Sequence, residues 1–166
     1  MIQTGHPLGT KHKPVFLLRP QGPSFRHSQT VSYGDAIVEF QAQRKVCVID
    51  DDDAVRESMR AVLESFGIDV SDYPSAGDFL ARVAAPPNGC MLLDLHMPGM
   101  SGLELLEVMR QRGWELPVIA MTGRSDDLLK ERVLRAGVVA LLDKPIGEST
   151  LTHALDRAFA RSAAEA

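Results

Sequence analysis

The stretch VCVIDDDD, residues 46–53, places four apolar side chains directly before four carboxylates. The apolar half does not alternate with polar residues, which is typical of a strand buried on both faces of a parallel sheet. Four carboxylates at the end of such a strand repel one another and lose hydration. A bound divalent cation is the simplest counter-charge, so the stretch predicts a metal-dependent acidic pocket.

Further strands of the same kind follow. The apolar run Met91–Leu93 also ends in an aspartate, Asp94. The pattern predicts five units of strand then helix, with strands at 46–49, 68–73, 91–93, 117–121 and 139–142. Right-handed crossovers then give a mainly parallel, doubly wound α/β sheet with helices on both faces. Ligands bind at the carboxyl ends of the strands in such sheets.

Residue types suited to phosphate chemistry follow these strands. Asp50 and Asp51 come after the first strand, Asp94 after the third, and Thr122 and Lys144 after the last two. Carboxylates are hard oxygen ligands for Mg²⁺, and a carboxylate can attack phosphorus to form an acyl phosphate. A hydroxyl and an ammonium can hold the phosphoryl oxygens.

Local signals set the helix boundaries. Either Asp52 or Asp53 is expected to begin the first helix, so these two aspartates are read as capping residues rather than metal ligands. Gly67 is expected to end that helix, and Ser125 to cap the fourth.

The chain divides into three parts. Residues 1–44 are rich in Pro and Gly and show no sustained periodicity, which predicts a flexible N-terminal extension with at most a short helix around 35–43. Residues 45–162 form the predicted domain, and 163–166 a short tail. The extension carries +3, which leaves −7 for the rest of a chain whose net charge is −4. An acidic domain of this kind is not expected to bind nucleic acid.

Other classes are disfavoured by composition. No apolar run approaches the roughly 20 residues that cross a bilayer, so no membrane contact is expected. Cys47 and Cys90 both fall in or at the start of predicted strands and are interpreted as small buried hydrophobes in the cytoplasm rather than as a disulfide or a metal site. Trp114 is interpreted as a packing or loop residue rather than a binding platform.

Four blocks carry a resemblance to a known family. They are VIDDDDAVR (48–56), LDLHMPGMSG (93–102), MTG (121–123) and DKP (143–145). In this order, and each after a predicted strand, they resemble a response-regulator receiver domain of the FixJ-like or NarL-like branch over about residues 44–162. The resemblance implies a flavodoxin-like (βα)5 fold with strand order 2-1-3-4-5, an order taken from the family.

The resemblance also implies roles for individual residues. Asp94 would accept the phosphoryl group, Thr122 would be the switch hydroxyl and Lys144 the cation that pairs with phosphate. The bond between Lys144 and Pro145 would be cis.

A magnesium site is implied at the same place. Asp51 and Asp94 would bind Mg²⁺, Asp50 would support the ion through water or from behind these ligands, and the backbone carbonyl of His96 would complete the protein ligands. The His96 side chain, facing Arg124 across the pocket, would tune the lifetime of the acyl phosphate.

The implied function is two-component or phosphorelay signalling in the cytoplasm. A sensor histidine kinase or a phosphotransfer protein would supply the phosphoryl group, and the chain would be a phosphoacceptor rather than an enzyme. Because little sequence follows the last predicted helix, a stand-alone receiver without an output domain is expected. Its output would be a downstream protein, a homodimer or phosphate transfer within a relay, without direct contact to nucleic acid.

One departure from the family and two alternatives stay open. Leu141 stands where receivers commonly have Tyr or Phe, so the coupling between phosphorylation and the surface of the last strands and helices is expected to be weaker or to follow another route. A degenerate receiver that binds partners without phosphorylation is one alternative. A Mg²⁺-dependent phosphohydrolase is the other, although its usual second aspartate is replaced by His96.

Overall fold

The computed structural model describes residues 28–33, 36–41, 44–123 and 127–164. From residue 45 onward, strands and helices alternate. In chain order these elements are β3 (Lys45–Ile49), α1 (Asp53–Ser65), β4 (Asp69–Tyr73), α2 (Ala76–Arg82), β5 (Cys90–Asp94), α3 (Gly102–Gln111), β6 (Val118–Thr122), α4 (Asp127–Arg135), β7 (Ala140–Asp143) and α5 (Glu148–Ala164).

The five strands β3 to β7 form one parallel sheet in the order β4-β3-β5-β6-β7. Counted from β3, this is the order 2-1-3-4-5, so the expected flavodoxin-like α/β fold is confirmed. The strand β4 lies at one edge, where its alternation of apolar and polar residues suits exposure on one face. The central strands β5 and β6 are buried throughout.

Two further strands precede this domain. β1 (Ser28–Tyr33) and β2 (Ala36–Gln41) pair antiparallel as a separate sheet. The short helix considered around 35–43 is therefore wrong for 36–41, where the β-branched and aromatic residues of the sequence AIVEFQ favour a strand. The flexible extension predicted for residues 1–44 stays a prediction for residues 1–27, which lie outside the described part of the chain.

The core fills both faces of the parallel sheet. Alternate residues of β3 point to opposite sides, so that Val46 and Val48 join one cluster and Cys47 and Ile49 the other. The first cluster also contains Leu155 of α5, and the second is covered by α2 and α3. Burial on both sides explains why the strand sequences lack polar alternation.

The two cysteines behave as predicted. Cys47 and Cys90 are free and buried, and they belong to different core clusters. Burial disfavours the thiolate and raises the pKa of Cys47 to about 11 and that of Cys90 to about 12. They are small apolar residues of the core.

Helix ends follow the predicted signals where the structure describes them. Asp52 rather than Asp53 caps α1, since its carboxylate accepts hydrogen bonds from the amides of Ala54 at 2.8 Å and Val55 at 3.3 Å. Gly67 follows that helix with φ of +73°, the left-handed conformation in which a Cβ is costly. The predicted cap Ser125 lies outside the described residues.

The last helix is longer than predicted. The helix α5 continues to Ala164 and thus includes two residues of the tail predicted for 163–166. Within the described ranges, no helix is both long enough and apolar enough to cross a membrane.

Candidate functional site

The ends of four neighbouring strands bring the predicted site residues together. Asp50 follows β3, Asp94 ends β5, Thr122 ends β6 and Lys144 follows β7. The Nζ atom of Lys144 lies 2.6 Å from Oδ2 of Asp50 and 2.8 Å from Oδ1 of Asp94. One ammonium therefore bridges two carboxylates that are 1% and 3% exposed. Residues 94 positions apart in the chain meet because parallel strands end at the same edge.

Asp50 is held through all of its polar groups. Its amide donates to the carbonyl of Tyr73 on the edge strand at 3.3 Å. Its Oδ1 accepts a hydrogen bond from the amide of Asp52 at 3.1 Å, and its carbonyl oxygen accepts one from Nη1 of Arg56 at 2.8 Å. Asp50 is thus a fixed element of the site rather than a mobile surface acid.

Asp94 is held by the loop that follows it. Its Oδ2 accepts a hydrogen bond from the amide of His96 at 2.9 Å, while Oδ1 faces Lys144. The start of α3 packs tightly against the peptide group between Asp94 and Leu95, since a Cβ on Gly102 would lie 2.3 Å from the Asp94 carbonyl oxygen. Only glycine allows the helix to come this close.

Thr122 is fully buried at the end of β6. Its Oγ1 lies 3.3 Å from Nδ1 of His96, and its carbonyl oxygen accepts a hydrogen bond from the amide of Lys144 at 2.8 Å. The peptide bond between Lys144 and Pro145 is cis, as predicted. The exposed His96 side chain lies beside Thr122. Its predicted neighbour Arg124 lies outside the described residues.

Burial and charge oppose each other in this cluster. Burial raises the pKa of Asp50 above its usual value, although hydrogen bonds from Lys144 and from the amide of Asp52 offset part of the rise. Burial alone would lower the pKa of Lys144, but its hydrogen bonds to Asp50 and Asp94 outweigh burial and raise it. The ammonium is therefore held in its charged form between the two acids.

The donor set fits a hard divalent cation. Carboxylate oxygens of Asp50, Asp51 and Asp94 lie within 4.8 Å of one another, and Asp51 is exposed to solvent. Three carboxylates face one ammonium, which leaves negative charge for a cation to neutralise. Oxygen ligands open to water on one side suit Mg²⁺, which keeps part of its hydration shell. The carbonyl of His96, the fourth predicted ligand, stays a prediction.

Trp114 packs edge-on against Phe79, with ring centroids 6.0 Å apart, so the packing role predicted for it is confirmed. Arg56 was not singled out in the sequence, although its guanidinium reaches the backbone of Asp50. Its place one turn into α1, within the block VIDDDDAVR, was the available signal.

Comparison with known proteins identifies the class. Residues 46–156 match the family described as the response regulator receiver domain, so the chain belongs to that family. It is 42% identical to the transcriptional regulatory protein FixJ of Azorhizobium caulinodans over 118 residues, which are 71% of this chain and 56% of that protein. It is 34% identical to the response regulator protein TodT of Pseudomonas putida over 114 residues, or 69% and 50% of the two chains.

Solved structures agree with this assignment. The crystal structure of FixJ-N aligns with a TM-score of 0.67 at 32% identity, covering 72% of this chain and 96% of that one. A CheY-like receiver domain protein from Methanospirillum hungatei aligns at 0.69 and 26% identity, covering 75% and 100%. The chain covers 56% and 50% of the two regulators named above, so what their remaining halves do is not transferred to it.

Proposed function

We propose that this chain accepts a phosphoryl group on Asp94 from a phosphohistidine of a sensor kinase or phosphotransfer protein. Mg²⁺ would be bound at the carboxyl ends of the strands, called the carboxyl edge below. The observation that carries the proposal is the bridge from Lys144 to Asp50 and Asp94, beside the buried hydroxyl of Thr122. A nucleophilic carboxylate, a second carboxylate and a fixed cation within hydrogen-bond distance are what phosphoryl transfer to an acid requires.

The reaction is a simple displacement. A carboxylate oxygen of Asp94 attacks phosphorus, and a P–O bond forms as the P–N bond to the donor histidine breaks. The donor nitrogen leaves with the electron pair of that bond. Lys144, whose Nζ lies 2.8 Å from Asp94, and the Thr122 hydroxyl would hold the phosphoryl oxygens.

Charge neutralisation governs the rate of such a transfer. Asp51, Asp94 and the carbonyl of His96 would hold Mg²⁺, with Asp50 supporting. When bound, the cation would screen the repulsion between these carboxylates and the incoming phosphate. The fixed positions of Asp50 and Lys144 mean that little reorganisation is needed as charge moves onto the phosphoryl oxygens.

The product would act by adding charge at one edge of the sheet. The acyl phosphate carries about two negative charges, in place of the single charge of the Asp94 carboxylate, and the loop of Thr122 would rearrange toward them. The output partner would be a downstream protein or a second copy of the chain. The exchange would take place in the cytoplasm.

Phosphoryl uptake from acetyl phosphate tests the proposal. Wild-type protein, Asp94→Asn and Asp69→Asn are incubated with Mg²⁺ and acetyl phosphate, and intact masses are recorded. Asp69 lies at the far end of the edge strand and serves as the matched control. Wild type and Asp69→Asn are expected to gain one phosphoryl group, which Asp94→Asn should lack.

The outcomes separate the competing functions. No mass gain in the wild type would mean that the domain is a binding module without phosphorylation. Sustained release of phosphate from a free phosphomonoester such as p-nitrophenyl phosphate would instead show a phosphohydrolase. Mass gain in Asp94→Asn would move the acceptor to another residue.

A further inference from the structure

Arg56, on α1, links the carboxyl edge of the sheet at Asp50 to the edge strand β4. Its Nη1 donates to the carbonyl oxygen of Asp50 at 2.8 Å and its Nε to Oδ2 of Asp72 on the edge strand at 3.4 Å, while its Nη2 pairs with Asp53. The side chain is only 11% exposed. Because a guanidinium carries five N–H donors in a rigid plane, it can serve all three acceptors at once.

The bond to the Asp50 carbonyl bears directly on Asp51. The carbonyl of residue 50 and the amide and Cα of residue 51 share one planar peptide group. Holding that oxygen therefore fixes the plane from which the Asp51 side chain departs. Among the residues that the structure describes, no hydrogen bond holds the Asp51 carboxylate itself, so its direction depends on this peptide.

We infer that Arg56 is a positioning residue that orients the Asp50–Asp51 peptide so that the Asp51 carboxylate faces Asp50 and Asp94. This inference rests on one part of the proposed function, the binding of a divalent cation at the carboxyl edge of the sheet. Groups that orient metal ligands from behind commonly change metal affinity by about 10- to 100-fold when removed.

Arg60 provides a matched control. It stands one turn further along α1 and pairs with the same Asp72, but its further contacts are to Glu64 and to the carbonyl of Val70, each at 3.3 Å and away from Asp50. Replacing either arginine by glutamine removes one positive charge and the salt bridge from α1 to Asp72 on β4. Only Arg56→Gln also removes the bond to the Asp50 carbonyl.

The direction of the change in Mg²⁺ affinity distinguishes a positioning role of Arg56 from a purely electrostatic one. Loss of a nearby positive charge by itself would tighten cation binding to carboxylates. Loss of orientation would weaken it. Charge and position therefore predict opposite changes in the dissociation constant for Mg²⁺.

The experiment is a calorimetric titration of unphosphorylated protein with Mg²⁺. Arg56→Gln is expected to raise the dissociation constant about tenfold. Arg60→Gln should change it by less than about twofold, because its partly exposed charge lies further along the helix and is screened by solvent. In metal-free protein, the backbone amide signals of Asp51 and Asp52 are expected to shift in Arg56→Gln but not in Arg60→Gln. Melting temperatures of the two variants should fall by similar amounts.

Several outcomes would overturn the inference. Unchanged or tighter Mg²⁺ binding by Arg56→Gln would show that only charge matters, and equal weakening by Arg60→Gln would show that α1–β4 packing matters instead. A wild-type protein that binds no Mg²⁺ would also end it. Failure of the wild type to take up a phosphoryl group would reject the proposed function, while the Mg²⁺ titration would still judge Arg56.

A conservative variant covers the case in which Arg56→Gln does not fold. Arg56→Lys keeps the charge, but its single ammonium cannot reach three acceptors at once. It is expected to weaken Mg²⁺ binding about threefold. Binding by Arg56→Lys equal to that of the wild type would count against the positioning role.

Discussion

The carboxyl edge of the sheet and the groove between α4 and α5 share the strand β7 but are built in opposite ways. At the edge, the polar side chains of Asp50, Asp94 and Thr122 are buried and hydrogen-bonded. The groove, of about 760 Å³, is open and largely apolar at its base, with Leu134 60% exposed and Leu141 half-buried.

The difference shows what each region requires of its residues. At the edge, an atom displaced by an ångström loses a hydrogen bond and leaves a buried charge unpaired, so position matters most. In the groove, exposed apolar side chains contribute little to stability, so their loss costs little to the folded state. Substitutions of the buried polar residues should therefore affect chemistry at the carboxyl edge, whereas substitutions of exposed residues in the groove should leave chemistry and stability nearly unchanged.

The largest contrast is expected between two lysines. Lys144→Ala removes the cation between Asp50 and Asp94, and should slow phosphoryl uptake from acetyl phosphate by about 100-fold or more. Lys130→Ala, which alters the lining of the groove, should leave the rate within about twofold. Initial rates followed by intact mass measure both. Equal rates for the two variants would remove the distinction between the regions.

Two leucines test whether the groove is separate from the hydrophobic core. Leu155 is fully buried in α5, whereas Leu134 on the rim of the groove is 60% exposed. Leu155→Ala should lower the free energy of unfolding by about 2–5 kcal/mol because it leaves a cavity. Leu134→Ala should change it by less than about 0.5 kcal/mol. Urea unfolding gives both values, and a large loss for Leu134→Ala would show that the groove is part of the core.

Two glycines test how tightly the edge is packed. Alanine usually stabilises a helix relative to glycine, and Gly77→Ala should do so in α2, where the added Cβ meets only Oγ of Ser75 at 3.7 Å. Gly102→Ala should instead lower the free energy of unfolding by about 1–3 kcal/mol, since its Cβ would strike the Asp94 carbonyl oxygen. A stabilised Gly102→Ala protein, seen by thermal unfolding, would mean that α3 can move away freely.

The smallest effect on chemistry is expected at Leu141, where the two regions meet. Its side chain packs against the cluster of Leu95, Ala120 and Val133. Leu141→Tyr should leave phosphoryl uptake within about twofold, because Lys144 and Asp94 are untouched, and change stability by less than about 1.5 kcal/mol. Amide shifts induced by beryllofluoride along α4 should grow in this variant. Shifts equal to those of the wild type would show that the ring at position 141 does not couple the regions.

Much of the fold could be predicted from the sequence because it is locally encoded. The unbroken apolar runs of β3 and β5 indicate burial on both faces, and Gly67 and Asp52 mark helix ends by requirements that act within a few residues. The choice between Asp52 and Asp53 needed the structure, since either could have capped α1.

Two features were missed for different physical reasons. The antiparallel pair of β1 and β2 had a local signal, since Gly34 and Asp35 stand between two stretches that each contain β-branched and aromatic residues. The many Pro and Gly residues before it indicated an irregular segment instead. For Arg56 the only signal in the sequence was its place within the block VIDDDDAVR. An arginine on a predicted helix is usually solvated, and its reach to the Asp50 carbonyl depends on how α1 lies across β3 and β4.

The sequence by itself determined which residues stand at the carboxyl edge, because each follows a strand and parallel strands end together. It also determined the family, through four short blocks in a fixed order. Only the tertiary structure decided that Lys144 bridges Asp50 and Asp94, that Thr122 faces His96, and that Arg56 holds the peptide before Asp51. These contacts join residues on different elements, and their distances follow from the twist of the sheet and the packing of its helices rather than from any local pattern.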